Sequence, residues 1–234
     1  MNSAVWQPCL QRIPDWIKPQ CIDLPGYGEN SGISARTLDD YVEHVAQQIS
    51  RPALVVGWSL GGLVSLQLAQ RYPEKVSALF QVATNPKFVQ HGDWRTAVEA
   101  SVFEQFASSL EKDRVKTIRR FLALQVRGTD TSMQTVRELQ RSIVARGLPG
   151  IEALLTGLKI LSDSDLIHTV QNLECPASWL LGEKDALVPP GLAEKLHEMS
   201  PGAEIQILAG AGHAPFISHS DAFVNSLLQL ATRL

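Results

Sequence analysis

Short continuous hydrophobic runs alternate along the chain with longer segments in which hydrophobic residues recur at helical spacing. The short runs, which have the length of strands, lie at residues 20–24, 53–56, 76–82, 177–181 and 204–208. The helical spacing marks residues 37–50, 60–71, 192–199 and 222–234. A continuous apolar run is typical of a strand buried on both faces of a parallel sheet, and helices between such strands form right-handed crossovers. The pattern predicts an α/β fold with a mostly parallel sheet.

The pattern changes between residues 86 and 166, where polar and basic helical segments occur without a convincing buried strand. The alternation of strands and helices resumes after this segment. We therefore predict an α/β core in two parts, residues 1–85 and 167–234, with a helical lid at residues 86–166 inserted between them. A chain of 234 residues, 44% of them hydrophobic, is long enough to bury one sizeable core.

Charge and cysteine usage argue against several classes of protein. A net charge of −3 gives no general attraction to nucleic acid or to an anionic membrane. Cys9, Cys21 and Cys175 are scattered and show no C-x-x-C spacing, so neither a disulfide framework nor a zinc site is indicated. A reducing cytoplasm suits such cysteines. The first residues lack a signal-peptide pattern and no apolar stretch is long enough for a bilayer, so we expect no membrane segment.

A nucleophile motif occupies the junction between a predicted strand and the helix that follows it. Residues 57–61 read Gly-Trp-Ser-Leu-Gly, which matches G-x-S-x-G. The sharp turn places the serine in a strained backbone conformation, and we expect only glycine to fit two residues to either side. Ser59 would then stand at the amino end of a helix, where backbone N–H groups stabilise an oxyanion. The motif alone is moderately specific, because an ordinary strand-to-helix loop can match it.

Two further side chains complete a catalytic triad. Asp185 and His213 each lie just past the carboxyl end of a predicted strand, at the edge where a parallel sheet gathers its functional groups. The order Ser, Asp, His along the chain is the one that α/β-hydrolases use. A neutral imidazole can take the serine proton, and a carboxylate orients and stabilises that imidazole. We therefore predict Ser59 as nucleophile, His213 as base and Asp185 as acid, with no metal or cofactor.

Other side chains compete for two of these roles. Glu183 lies closer to the strand than Asp185 and is the alternative acid. His219 lies past the glycine-rich turn and is the alternative base. Asp163 and Asp165 lie at the exit of the predicted lid, away from any strand end, so we assign them no role. The nucleophile has no close rival.

Three runs of sequence resemble one family of enzymes. They are GWSLGGLVSLQLA at residues 57–69, RRFLALQ at 119–125 and AGAGHAPFISH at 209–219. The runs resemble the pimeloyl-acyl carrier protein methyl ester carboxylesterases, a family of α/β-hydrolases in biotin synthesis, and the likeness extends over nearly the whole chain. It implies hydrolysis of that methyl ester and of small esters. It also implies the same triad, with the backbone N–H of Leu60 as one oxyanion donor.

The resemblance further implies an acyl pocket on one helix of the lid. The residues that would line it are Phe121, Leu122, Ala123, Leu124 and Gln125. The apolar members would hold a methylene chain, which contributes about 0.8 kcal/mol for each buried CH₂. The alternative is that these side chains pack the lid onto the core, as apolar residues on amphipathic helices usually do.

The predicted lid is strongly basic. Between residues 112 and 146 the chain has nine basic and three acidic residues, a net charge of +6 in a protein of −3. Such a surface suits a substrate carried on an acidic protein such as acyl carrier protein. The resemblance implies that Lys116, Arg120 and Arg137 face that partner. A solvated helix face is the alternative interpretation.

The amino terminus departs from the family pattern. Members of the family begin with two or three strands and an HG-W-G-type loop, whose backbone N–H is the second oxyanion donor. The present chain starts MNSAVW, which indicates that Met1 is an internal methionine of a longer reading frame or that another loop supplies the donor. Loss of one donor lowers turnover by about 10²- to 10³-fold.

The sequence is also compatible with three other functions. One is a general short-chain carboxylesterase, and another is a related Ser-His-Asp activity such as a cofactor-free perhydrolase or a lyase of menaquinone synthesis. The third is a weakly active or non-catalytic truncated form. The fold does not choose among them, because function depends on the site.

Overall fold

The structure is a computed structural model that describes residues 1–124, 137, 140–141 and 143–234. Gln125 and the side chain of Leu124 lie outside the described residues. The strands are β1 (Ala53–Trp58), β2 (Val76–Val82), β3 (Ala177–Gly182) and β4 (Glu204–Leu208). The α-helices are α1 (Gln7–Leu10), α2 (Leu38–Gln48), α3 (Leu60–Arg71), α4 (Ala100–Lys112), α5 (Arg114–Leu124), α6 (Ile151–Asp163), α7 (Ile167–Gln171), α8 (Leu192–Met199), α9 (Pro215–Ser218) and α10 (Ser220–Ala231).

The four strands form one parallel sheet in the order β1, β2, β3, β4. Trp58 pairs with Val82, and Val82 pairs with Leu180, so the carboxyl ends of three neighbouring strands lie at the same edge. Helix α3 connects β1 to β2, and α8 connects β3 to β4. Such helical connections between parallel strands define the α/β class. The predicted fold class is confirmed.

Apolar residues cover both faces of the inner strands β2 and β3, as their continuous hydrophobic runs predict, whereas β1 is mostly half-buried and most of β4 is exposed. On β2, Leu79 points into a cluster with Leu66 of α3 and Trp179 of β3. Its neighbour Phe80 points into the opposite cluster, which includes Phe223 of α10. Successive side chains of a strand point to opposite faces. Both faces of β2 are therefore largely apolar, and the buried Gln81 side chain donates to the Ser65 hydroxyl at 2.8 Å.

Helix α2 begins at a capping box. The Thr37 hydroxyl accepts a hydrogen bond from the Asp40 N–H at 3.1 Å, and the Asp40 carboxylate accepts one from the Thr37 N–H at 3.0 Å. These bonds satisfy backbone donors that have no partner within the helix. The helix ends at Gln48, so the prediction of residues 37–50 is correct to within two residues at its carboxyl end.

Helices α4, α5 and α6 lie between β2 and β3 in the chain. Residues 83–176 form no strand within the part that the structure describes, and the isolated bridges there join Val89 to Val98 and His91 to Trp94. The two ends of this segment meet, because Leu166 N–H donates to the Pro86 carbonyl at 3.0 Å. Among the described helices, none has the length and hydrophobicity that crossing a membrane requires.

Residues 20–24 do not form the strand that the sequence predicts. A strand needs a neighbouring strand to pair its N–H and C=O groups, and none of the described residues pairs with this run. The run is instead fixed by side chains. The buried Asp23 carboxylate accepts the N–H groups of Ser3 and Glu29, and Asn30 donates to the Asp23 carbonyl.

Candidate active site

Ser59 lies on a tight turn between the end of β1 and the start of α3. Its φ of 53° and ψ of −117° are rare for a residue with a side chain. At Gly57, an added Cβ would come within 2.4 Å of Ser65 Oγ, so only glycine fits. At Gly61, however, an added Cβ would meet no atom of the described residues within 4 Å, whereas at Gly62 it would come within 1.9 Å of Thr84 Oγ1. The second obligatory glycine is therefore Gly62, and the prediction that Gly61 avoids a collision is wrong.

A buried histidine and a buried carboxylate face each other beyond the ends of β3 and β4. Asp185 Oδ2 lies 2.7 Å from His213 Nδ1, and both side chains are almost completely excluded from solvent. Asp185 Oδ1 accepts the N–H groups of Leu187 and Val188 at 2.8 and 3.0 Å. These two donors hold the carboxylate in one orientation. The carboxylate in turn fixes the tilt of the imidazole.

Backbone contacts join the two loops that carry this pair. Lys184 N–H donates to the Ala211 carbonyl at 2.8 Å. A Cβ at Gly182 would come within 2.3 Å of the Gly212 carbonyl oxygen, so glycine at the end of β3 permits the close approach. The parallel register of β3 and β4 thus places the loop with Asp185 against the loop with His213.

Trp58, the residue before Ser59, contacts the loop that carries His213. Its Nε1 donates to the His213 carbonyl at 2.7 Å, and the ring centroids of Trp58 and Phe216 lie 5.0 Å apart. The other imidazole nitrogen, His213 Nε2, is buried and makes no hydrogen bond within the described residues. Ser59 and His213 line the same cavity. This arrangement leaves one imidazole nitrogen available to accept a proton there.

The competing side chains have other partners. Glu183 is exposed and accepts the Gly210 N–H at 2.8 Å, while His219 Nδ1 lies 2.8 Å from the Ser218 hydroxyl. Asp163 pairs with Lys159, and Asp165 pairs with Lys87 at 2.7 Å. The structure brings Asp185, and none of these three carboxylates, to the imidazole of His213.

A cavity of about 1170 Å³ opens at Ser59 and His213. Phe121 lines it, as the resemblance implies, and packs edge-on against Phe106 at a centroid distance of 5.3 Å. Leu122 is buried in the core cluster, Ala123 is exposed, and neither lines the cavity. A helix turns by about 100° per residue, so consecutive residues cannot all face one cavity. Gln125 and the side chain of Leu124 lie outside the described residues.

Apolar residues that the sequence patterns do not single out also line the cavity. Among them are Phe88, Phe103, Phe106, Leu154, Leu158 and Leu161. These residues recur at helical spacing on α4 and α6 or lie in the loop after β2. Helical spacing shows which residues face inward, but it does not show whether they pack against the core or line a cavity.

Cys9 and Tyr27 also line the cavity, and burial suppresses the charged form of each. Burial raises the pKa of the Cys9 thiol to about 12, and its Sγ donates to the Trp6 carbonyl. Burial also raises the pKa of Tyr27, whose hydroxyl donates to the Ala153 carbonyl at 3.1 Å. A thiol with such a pKa is almost entirely protonated near neutral pH, so it is a poor nucleophile.

Exposed cations cover the outer face of α5. Lys116, Arg119 and Arg120 are exposed, while Ile118 and Leu122 on the inner face are buried. Arg137 is also exposed. Within the described residues, none of these four cations forms an ion pair. The three cations that the resemblance assigns to the carrier protein, Lys116, Arg120 and Arg137, are therefore exposed and unpaired within the described part of the chain.

A parallel sheet with a strained serine after one strand and a buried carboxylate and histidine after two others is the arrangement of an α/β-hydrolase. A family model described as alpha/beta hydrolase fold matches residues 20–220. The chain therefore belongs to the α/β-hydrolase fold family.

Curated relatives match the chain over its whole length. A protein of Vibrio cholerae is 36% identical over 233 residues, which cover 100% of this chain and 91% of that protein. A protein of Salmonella typhi is 38% identical over 234 residues, with the same two coverages of 100% and 91%. Both are named pimeloyl-[acyl-carrier protein] methyl ester esterase. The resemblance that the three sequence runs indicate is confirmed.

Solved structures support the fold. An esterase from Exiguobacterium antarcticum superposes with a TM-score of 0.86 at 18% identity, over 97% of this chain and 87% of that chain. A bromoperoxidase from Bacillus anthracis gives a TM-score of 0.88 at 16% identity, over 99% of this chain and 88% of that chain. At these identities the likeness shows the fold alone.

Proposed function

We propose that this protein hydrolyses the methyl ester of pimeloyl-acyl carrier protein to pimeloyl-acyl carrier protein and methanol. In this proposal Ser59 is the nucleophile, His213 is the general base, Asp185 orients the base, and the N–H of Leu60 binds the oxyanion. The observation that carries the reaction type is the buried His213–Asp185 pair at 2.7 Å, on the cavity that Ser59 also lines. The names of the relatives support the substrate.

Acylation begins when Ser59 Oγ attacks the ester carbonyl carbon while His213 Nε2 takes the hydroxyl proton. The carbonyl oxygen becomes an oxyanion near the amino end of α3, where the N–H of Leu60 has no acceptor within the helix. Collapse of the tetrahedral intermediate breaks the bond to the methoxy oxygen. That oxygen takes the proton from His213 and leaves as methanol.

Deacylation repeats these steps with water. His213 Nε2 takes a proton from a water molecule as that water attacks the pimeloyl ester of Ser59. The second tetrahedral intermediate expels Ser59 Oγ, which recovers the proton from His213. The product acid gives its remaining proton to solvent and becomes a carboxylate, and the enzyme returns to its starting state.

The cavity supports the placement of the acyl chain. In the proposed complex the ester carbonyl lies at Ser59, and the methylene chain extends along the apolar wall that Phe106 and Phe121 form. The far end of the chain carries the prosthetic arm of acyl carrier protein. The exposed cations Lys116, Arg120 and Arg137 provide a surface for that acidic partner. Small esters need only the cavity.

The proposal assigns a part of the chain to each task. Residues 1–85 and 167–234 form the core that carries Ser59, Asp185 and His213, and residues 86–166 form the lid. The bonds from Leu166 N–H to the Pro86 carbonyl and from Lys87 to Asp165, at 3.0 and 2.7 Å, support this division, because they join the first residues of the lid to its last residues.

The compartment that we propose is the cytoplasm. Cys9, Cys21 and Cys175 are free thiols, and they would stay reduced there.

Labelling and turnover test the proposal together. A fluorophosphonate probe should label the parent protein rapidly and should not label Ser59→Ala protein of normal circular dichroism. Methanol release from pimeloyl-acyl carrier protein methyl ester should disappear in the same variant. Rapid labelling with a preference for free short-chain esters over the carrier-bound ester would favour a general carboxylesterase. Absence of labelling in the parent would favour a non-catalytic form.

A further inference from the structure

The last residue of β2 and the loop after it contact the backbone N–H and C=O of Ser59. The Ser59 N–H donates to the Val82 carbonyl at 3.1 Å, and the Thr84 hydroxyl donates to the Ser59 carbonyl at 2.9 Å. Between these two contacts, Ala83 has a φ of 44°, which is rare for a residue other than glycine. Two strained residues therefore lie side by side, held by hydrogen bonds that run in both directions.

The carbonyl that Thr84 contacts belongs to the same peptide group as the N–H of Leu60. This peptide bond is trans, and a trans peptide group is planar with its C=O and N–H pointing in opposite directions. A hydrogen bond that fixes the direction of the Ser59 carbonyl therefore also fixes the direction of the Leu60 N–H. Leu60 is the first residue of α3, so this N–H is available to an anion.

From this geometry we propose that Thr84 is a positioning residue for ester hydrolysis. Its hydroxyl aims the Leu60 N–H at the oxyanion that forms when Ser59 attacks. The inference rests on the proposed function, in which Ser59 is the nucleophile and Leu60 is an oxyanion donor. Thr84 acts through the peptide group and does not touch the substrate, because it is fully buried and does not line the cavity.

The start of helix α3 packs closely against Thr84. A Cβ at residue 62 would come within 1.9 Å of Thr84 Oγ1 and 2.6 Å of Thr84 Cβ, so the start of α3 can lie this close only because residue 62 is glycine. Without the hydroxyl, the Ser59 carbonyl keeps the Gly62 N–H at 2.9 Å and the more distant Leu63 N–H at 3.4 Å. Both remaining donors lie in α3, and within the described residues no other hydrogen bond then ties this carbonyl to the loop after β2.

Thr84→Val removes the hydroxyl and nearly keeps the shape of the side chain. For p-nitrophenyl butyrate, we expect kcat to fall about tenfold with little change in KM, because an oxyanion donor acts in the transition state. This loss is smaller than the roughly 10²- to 10³-fold effect of removing a donor outright. A boronic acid that forms a tetrahedral anion on Ser59 should bind about tenfold more weakly, and Thr84→Ser should restore both values.

Thr169→Val is the matched control. Thr169 lies on α7 and is also buried. Its hydroxyl donates to Oε1 of Gln70, on α3, at 2.9 Å. This variant should lose stability without losing kcat or boronate affinity. If Thr84→Val does not fold, Thr84→Ala and Thr84→Ser decide the matter, because they differ by one hydroxyl.

The outcomes separate the two proposals. Absence of fluorophosphonate labelling at Ser59 in the parent protein would refute the proposed function itself. Normal labelling of the parent, together with unchanged kcat and boronate affinity in a folded Thr84→Val or Thr84→Ala protein, would overturn the role of Thr84 alone.

Discussion

Trp58 Nε1 donates a hydrogen bond of 2.7 Å to the backbone carbonyl of His213. The residue that precedes the proposed nucleophile therefore holds the loop that carries the proposed base. The ring centroids of Trp58 and His213 lie 5.7 Å apart, and Phe216 packs edge-on against the indole. The side chain of Trp58 thus joins the turn after β1, which carries Ser59, to the loop after β4, which carries His213.

Replacing Trp58 by phenylalanine removes this hydrogen bond and keeps an aromatic ring. We expect kcat for p-nitrophenyl butyrate to fall about fivefold, since a hydrogen bond of this kind contributes about 1 kcal/mol. Trp94→Phe is the control, because Trp94 Nε1 donates to the Lys87 carbonyl at 2.8 Å and Trp94 does not line the cavity. Equal losses in the two variants would show that the effect on kcat comes from general destabilisation.

The choice between two neighbouring carboxylates can be tested directly. Asp185→Asn should lower kcat by about 10³- to 10⁴-fold, because the amide no longer stabilises the charged imidazole or its tautomer. Glu183→Gln should leave kcat within about twofold, since Glu183 only accepts the Gly210 N–H. Steady-state kinetics on p-nitrophenyl butyrate decide the matter, and a larger loss in Glu183→Gln would reassign the acid.

Reversing the lid charges should affect a protein-borne substrate and spare small esters. For pimeloyl-acyl carrier protein methyl ester, kcat/KM should fall about tenfold in an Arg120→Glu, Arg137→Glu variant, and in the parent it should fall with added salt. For p-nitrophenyl butyrate, the variant should match the parent. A Lys195→Glu, Arg233→Glu variant has the same change in charge outside the lid and should behave like the parent on both substrates. Equal losses of the lid variant on both esters would contradict the docking role.

The acyl wall can be tested with two nearby residues on α5. Phe121→Ala should lower kcat/KM for p-nitrophenyl octanoate about tenfold relative to p-nitrophenyl acetate, because the longer chain loses an apolar contact. Ala123→Ser should change neither value, since Ala123 is exposed and does not line the cavity. A chain-length effect in Ala123→Ser would restore this residue to the acyl pocket.

Sequence patterns predicted the elements whose signals are local. Helix α3 has the predicted bounds because apolar residues recur at helical spacing directly after the Ser59 turn, and β2 has them because its apolar run is continuous. The run at residues 20–24 has a similar composition but forms no strand, because strand formation depends on a partner elsewhere in the chain. Propensity along the chain does not contain that information.

In the candidate site, too, the sequence predicts some features, while others depend on contacts between distant parts of the chain. The placement of Asp185 and His213 past strand ends follows from the topology of parallel sheets, and the structure brings the two side chains to within 2.7 Å of each other. The requirement for glycine at position 62 and the contacts of Thr84 were not predictable from the motif. They depend on how closely α3 approaches the end of β2, a distance that only the three-dimensional packing fixes.

The strands lie side by side in the order in which the ribosome makes them. During synthesis, β1 and β2 leave the ribosome first, and the turn at Ser59 can form as soon as they pair. Asp185 follows only after the long helical segment, and His213 follows later still. A nascent chain that already contains the serine therefore lacks the groups that would activate it. Under the proposed mechanism, esterase activity begins only after His213 has been synthesised.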